Sequence, residues 1–213
     1  TETYGWSEQE VLGTRLDFVP AGEERTIDLA LQKALAGENV LLETKRYTKS
    51  GEVLDVHLRS AILSDTTGAP SETIVIHRDV TAAKRAEARL KESEARYRTL
   101  FENAGDAIFI LEAEGPRTGQ IVSANRVAAE MHGFGPQELL KLNITDLEAP
   151  DFALRLPEFL SRMADGTWIK EEVLHKKKDG TYFPVEVSAG LLDLTERKFI
   201  LAIDRDITRR KLS

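Results

Sequence analysis

Arg205-Asp206-Ile207-Thr208 closes the last apolar run of the chain, and Arg78-Asp79-Val80-Thr81 closes an earlier one. Two further pairs of segments repeat at nearly the same lag. Lys49-Ser50-Gly51 matches Lys178-Asp179-Gly180, and Tyr4-Gly5-Trp6-Ser7-Glu8-Gln9-Glu10-Val11-Leu12 matches His132-Gly133-Phe134-Gly135-Pro136-Gln137-Glu138-Leu139-Leu140. Three landmarks in one order at nearly one lag make the chain two copies of one module.

Outward from the second tetrad, the pattern is strand-like. Lys198–Ile207 puts Phe199, Leu201 and Ile203 on one face, and Thr181–Leu192 alternates Phe183, Val185, Val187 and Ala189 with Tyr182, Pro184, Glu186 and Ser188. A turn at Lys178-Asp179-Gly180 leads back to Trp168–Lys177. Further upstream lie helical pieces: Phe152–Ala164, with a break or kink expected at Pro157, then Pro136–Lys141, then Arg126–His132 with Asn125 as its N-cap. Asp106–Glu112 and Gln120–Ala124 read as strands, the first with Ile108 and Ile110 on one face, and Ser93–Ala104 reads as a helix.

The first copy repeats only the second half. Leu54, Val56 and Leu58 alternate with Asp55, His57 and Arg59, and Ile74 and Ile76 take the inward places on its last strand. Without counterparts of Asp106–Glu112 and Gln120–Ala124, the strand Glu72–Val80 is left as a bare edge. Residues outside the chain, or a second subunit, are expected to complete it. The first residue is Thr rather than Met, which reads as a piece of a longer protein. Between the copies, Thr81–Leu100 has no Gly or Pro. Ala83, Ala86, Leu90, Ser93, Tyr97 and Leu100 recur there at alternating spacings of three and four, a heptad seam on a continuous helix.

These residues resemble the PAS domain family with its C-terminal PAC segment. The resemblance is carried by Asn103-Ala104-Gly105-Asp106-Ala107-Ile108, Asn125 with Ala128-Ala129, Gly133-Phe134 followed by Glu138-Leu139-Leu140, Lys178-Asp179-Gly180 and Arg205-Asp206-Ile207-Thr208. It covers copy two throughout and copy one from Tyr4 to Lys84. It implies an α+β fold with a five-stranded antiparallel sheet in the order 2-1-5-4-3, helices on one face and a pocket between. Residues 1–81 would be the C-terminal part of a first PAS domain, 82–100 a connecting signalling helix, and 93–209 a complete second domain. A sensory and dimerisation module follows, part of a bacterial-type sensor histidine kinase whose output domain lies outside the chain. The rivals are a ligand-free structural dimerisation module, or the sensor part of a diguanylate cyclase or transcription regulator.

Composition excludes several classes. The 213 residues are 41 % hydrophobic and 31 % charged, enough for a core, and the net charge of −7 argues against a nucleic-acid partner. No apolar run is long enough to cross a bilayer, so membrane contact is not expected and the cytoplasm is the expected compartment. With no cysteine, thiolate metal sites, disulfides and a cysteinyl-flavin adduct are ruled out. Phosphate-loop, zinc-protease and nucleophile-elbow motifs are missing, so no catalytic residue is assigned. His57, His77, His132 and His175 show no chelating spacing, so no metal is expected. His57 and His77 read as outward strand positions, and His175 as part of a solvated hairpin end. Trp6 and Trp168 read as packing residues.

The resemblance puts the proximal histidine of haem-binding members on Phe152–Ala164, and on about Ala21–Ala36 in copy one. Neither stretch has a histidine, so His-ligated haem is not expected. A non-covalent flavin or a small metabolite remains compatible. The candidate pocket lining is Ile108, Ile110, Met131, Leu139, Phe159, Met163, Phe183, Val185 and Leu201, with Asn125 and His132 as polar handles. The same residues also describe a filled core. Asp79, Thr81, Leu90, Asp206 and Thr208 are the candidate relay. Each Thr would cap the helix leaving a last strand, its Asp would favour the positive helix end or pair with an Arg such as Arg78, and Leu90 would lie in the seam of a homodimer.

Overall fold

The computed structural model describes residues 3–14, 18–36, 38, 40–68, 70–150, 152–164, 166–194 and 197–212. Two units emerge, Thr1–Ser93 and Glu94–Ser213. In the first, Glu10 reaches back to the Ser7 amide at 2.9 Å and starts the short helix α1 (Glu8–Val11). Helix α2 (Glu24–Leu35) follows, then the strands β1 (Val40–Tyr47), β2 (Val53–Ser64) and β3 (Pro70–Asp79). They form an antiparallel sheet in the order β1-β2-β3.

Leu54, Val56 and Leu58 of β2 are buried, as their alternation requires. On β3 the inward residue is His77, which stands opposite Leu58, while Ile76 stands opposite Arg59 and Ile74 opposite Ala61. Ile74 and Ile76 are therefore exposed, at 47 % and 61 %, contrary to their expected inward places. Thr73-Ile74-Val75-Ile76 offers apolar side chains on both faces, so only pairing with β2 fixes the parity. His77 is likewise half-buried rather than solvated, its Nδ1 lying 2.7 Å from the Tyr4 hydroxyl. His57 faces out and meets Glu43 at 3.0 Å.

Helix α3 (Thr81–Glu102) has 22 residues. Its seam residues Leu90, Tyr97 and Leu100 are exposed. In the second unit β4 (Ala107–Glu112) and β5 (Ile121–Ala124) lead to α4 (Arg126–His132) and α5 (Pro136–Leu139). Next come α6 (Phe152–Met163), β6 (Ile169–Lys176), β7 (Tyr182–Leu194), β8 (Arg197–Asp206) and α7 (Thr208–Leu212). The sheet is antiparallel and five-stranded, in the order β5-β4-β8-β7-β6. Counted within the unit this is 2-1-5-4-3, the order the resemblance implies.

Helix α6 is continuous across Pro157 instead of breaking there. A proline removes one helix hydrogen bond, but Phe159, Leu160 and Met163 on the same helix pack on the core and hold it. Gly133, in the left-handed region at φ 75°, ends α4 where a side chain would be strained. On β7, Gly190 leaves room for the Trp168 indole, whose Cε2 would lie 2.8 Å from an added Cβ, but Trp168 is half exposed rather than packed in the core as expected.

Candidate functional site

The core of the second unit lies between the sheet and α4–α6. Its inward residues are Phe109 and Leu111 on β4, Ile200 and Ala202 on β8, Ala189 on β7 and Ile169 on β6. This reverses the expected parity on two strands. Ile108, Ile110 and Leu201 alternate with these inward residues and lie on the opposite face of the sheet. Each strand carries an unbroken apolar run, Ala107–Leu111 and Phe199–Ile203, so alternation gives no phase. Phe183 and Val185 of β7 are buried as expected.

A cavity of ≈ 50 Å³ opens in this core, lined among others by Leu111, Phe159, Met163, Ile200, Glu148 and Asp204. Of the eleven expected pocket residues, only Phe159 and Met163 line it. Leu139 is fully buried core, and Met131 is partly buried against it. Asn125 is not a free handle, because its side chain makes four hydrogen bonds of its own. Oδ1 accepts from the amides of Ala128 at 2.9 Å and Ile108 at 3.0 Å, and Nδ2 donates to the carbonyls of Phe101 and Asp106, each at 3.0 Å. An Asn amide has little capacity left after that. The cavity is also far below the usual size of a cofactor site.

The polar part of the site joins His132, an expected polar handle, to three residues the sequence did not single out, His175, Glu148 and Asp204. After the turn of 3₁₀ helix at Ile144–Asp146, the chain runs beside β6, with Ala149 N donating to Leu174 O at 3.0 Å and Lys176 N to Leu147 O at 2.7 Å. This register sets Glu148 against His175. Alternation on β6 turns Ile169, Glu171, Val173 and His175 to one face, so His175 is fully buried and not at a solvated hairpin end. Lys178 N donates to His132 O at 2.9 Å and brings the β6–β7 hairpin against the end of α4.

His132, His175, Glu148 and Asp204 meet there. His132 Nδ1 lies 2.9 Å from Ala128 O, which can only accept, so that nitrogen carries the proton. His132 Nε2 is then an acceptor, and His175 Nδ1, 2.8 Å away, donates to it. His175 Nε2 stands 3.0 Å from Glu148 Oε1, and its Nδ1 is 3.8 Å from Asp204 Oδ2. Burial and the neighbouring His175 charge lower the His132 pKa to about 4. Burial also disfavours the charge on His175, but Glu148 and Asp204 outweigh it and raise that pKa. Burial pushes the Asp204 carboxyl up to about 7. The cluster can thus hold a variable number of protons near neutral pH. Among the described residues, no group of three or more ligands is arranged for a metal ion.

Both last strands hand over to a helix in the same way, with roles different from those expected. Asp79 Oδ1 accepts the Thr81 amide at 2.8 Å, and Asp206 Oδ1 accepts the Thr208 amide at 2.8 Å. The aspartate caps the helix; the Thr hydroxyl does not. Thr81 Oγ1 instead accepts from the Asp55 amide of β2 at 2.9 Å. In the second unit, Ile207 N bonds to Pro184 O as Val80 N does to Asp55 O, so Pro184 takes the place of Asp55. A proline has no N–H to offer Thr208. Arg205 clamps Asp106 of the segment entering β4 through two hydrogen bonds of 3.0 and 2.6 Å. Helix α7 is tied to the sheet by Arg210 to Glu186 at 3.2 Å, Lys211 to Glu172 at 2.5 Å, and Arg210 to Glu172.

The sequence model of the PAS domain family matches residues 1–82 and 105–209. The methyl sulfide methyltransferase-associated sensor of Methanosarcina acetivorans is 33 % identical over 123 residues, covering 57 % of this chain and 12 % of that protein. Sporulation kinase E of Bacillus subtilis is 27 % identical over 201 residues, covering 92 % of this chain and 25 % of the kinase. The chain therefore spans a quarter or less of these relatives' length. A PAS domain of an HTR-like protein from Haloarcula marismortui superposes with a TM-score of 0.53 at 32 % identity, covering 58 % of this chain and 99 % of that domain. No helix among the described residues is long and apolar enough to cross a membrane.

Proposed function

The chain belongs to the PAS domain family, and from that premise we propose that it is the sensory and dimerisation module of a signalling protein. It relays a ligand or conformational signal through connecting helices to an output domain outside this chain, which we assign as a histidine kinase. Residues 1–81 serve as part of a first PAS domain, 82–100 as the signalling helix and 93–209 as the second domain. The chain itself has no catalytic role in this reading.

One observation carries the relay. Strand β8 supplies Asp204 to the cavity wall and, two residues later, Asp206 to the cap of α7. Any change at the wall therefore acts on the root of the outgoing helix. The exposed seam of Leu90, Tyr97 and Leu100 on α3 supports pairing with a second copy. So does the outer face of the second sheet, where Ile108, Ile110, Leu201 and Ile203 remain partly accessible.

The test is an insertion series after Leu90 in the full-length parent. Two added residues rotate the seam and should change output, whereas seven restore its phase and should be tolerated. Wild-type activity in both insertions would make the helix a passive tether and overturn the relay.

A further inference from the structure

We propose that the cavity of the second unit receives a small organic ammonium ion, its N–H groups on Glu148 and Asp204 and its hydrocarbon part on the aliphatic wall. The inference rests on the sensory reading above and gives its ligand a chemical class.

The cavity wall offers more acceptors than donors. Glu148 Oε2, both carboxylate oxygens of Asp204 and the neighbouring His175 Nε2 have no hydrogen-bond partner, although Glu148 and Asp204 are only 5 % and 1 % exposed. His175 cannot satisfy them all, since its Nδ1 serves His132 and its Nε2 faces the other oxygen of Glu148. Glu171 also lines the cavity but is engaged by Arg155 at 2.9 Å and by Arg162.

Charge gives the same answer. Two ionised carboxylates and one imidazolium leave one buried negative charge, which must be matched by a proton or a monovalent cation. The groups around Asp204 are His175 and Glu148, then His132 with Lys177 beyond it, and Glu171 with its two arginines on the far wall.

The rest of the wall selects among candidates. Leu111, Ile144, Phe159, Met163, Ile200 and Ala202 are apolar. A water would bring oxygen lone pairs to a wall where acceptors outnumber donors. A divalent metal would need a shell of oxygen ligands that the wall lacks. An ammonium has donors only, and its alkyl part suits the wall. A volume of ≈ 50 Å³ has room for about three or four non-hydrogen atoms.

Ethylammonium chloride is the probe, titrated into the ¹⁵N-labelled chain and followed by amide chemical shifts. So few atoms limit the affinity to about the millimolar range. Saturable shifts are expected at Ala202–Arg205 and Leu147–Ala149, with none from ethanol or sodium acetate at equal concentration. Affinity should rise about tenfold from pH 6 to pH 8 as the competing proton leaves Asp204. Asp204→Asn, nearly isosteric, should weaken binding at least tenfold, with a dispersed spectrum as the folding control, and Glu148→Gln should do likewise. An equal response to ethanol, no saturable shifts, or binding unchanged in both variants overturns the proposal. Such a failure leaves the relay standing, because the relay is read by the insertion series.

Discussion

Asp204 and His132 sit in one buried cluster but pull the pH dependence of stability in opposite directions. Folded Asp204 keeps its proton up to about pH 7, whereas unfolded Asp releases it near ~3.9. Its contribution is fully present below ~3.9 and is lost as pH rises through 7. His132 is the reverse, with a folded pKa of about 4 against ~6.5 unfolded. Its contribution is present above ~6.5 and is lost as pH falls through 4. Between roughly pH 4 and 6.5 the two slopes, each ~1.4 kcal/mol per pH unit, oppose one another. Asp204→Asn removes one of them. Relative to wild type, the variant should gain on the order of 2–4 kcal/mol between pH 4 and pH 8, measured by urea unfolding of the second unit. A wild-type–variant difference independent of pH would show that Asp204 stays ionised throughout. Of this cluster only His132 was legible in the sequence, as a polar handle of the pocket. His175 stood beside Lys176-Lys177-Lys178 and looked solvated, Glu148 lay in an unpatterned loop, and Asp204 carried no local signal. Pairing of β6 with the loop before α6 brings in Glu148, the β6–β7 hairpin docks on His132, and β8 supplies Asp204.

Helices and turns were easier to read than strand faces. The N-cap Asn125, the helix from Arg126 to His132 and the turn Lys178-Asp179-Gly180 have local causes that a local pattern displays. Strands such as Ile108-Phe109-Ile110-Leu111 and Phe199-Ile200-Leu201-Ala202 carry apolar side chains on both faces, so their phase is set by neighbours distant in sequence. The two strand-to-helix joints give a sharper contrast. Thr81→Val leaves the half-buried Asp55 amide without its acceptor and should destabilise the first unit by about 1–3 kcal/mol. Thr208→Val leaves no such orphan, because Pro184 has no amide proton, and should cost less than about 0.5 kcal/mol. Hydrogen exchange of the β2 and β7 amides in the two variants checks this. Equal losses would mean that the hydroxyl on β2 is incidental.

At the scale of the whole molecule, the two sheets differ at one edge. In the second unit β8 is flanked by β4, whereas the outer side of β3 has no neighbouring strand among the described residues. Ile74, Val75 and Ile76 are exposed along it. Long apolar edges recruit other strands. The chain should therefore self-associate at tens of micromolar in light scattering, and Val75→Lys with Ile76→Lys should reduce that association. A monomer at every concentration, unchanged by the lysines, would count against the exposed edge as an interface.

The close fit of Trp168 on Gly190 has a practical consequence. The chain has two tryptophans, and Trp6 lies in the other unit. Trp168 stands next to Ile169, and Gly190 next to Ala189, both on the cavity wall, so the indole spans the seam between the two strands that form that side. With Trp6 replaced by Phe, emission from a single native indole would follow the spacing of β6 and β7 in real time. The second unit carries its own fluorophore, on the outer face of the two strands whose inner face lines the cavity.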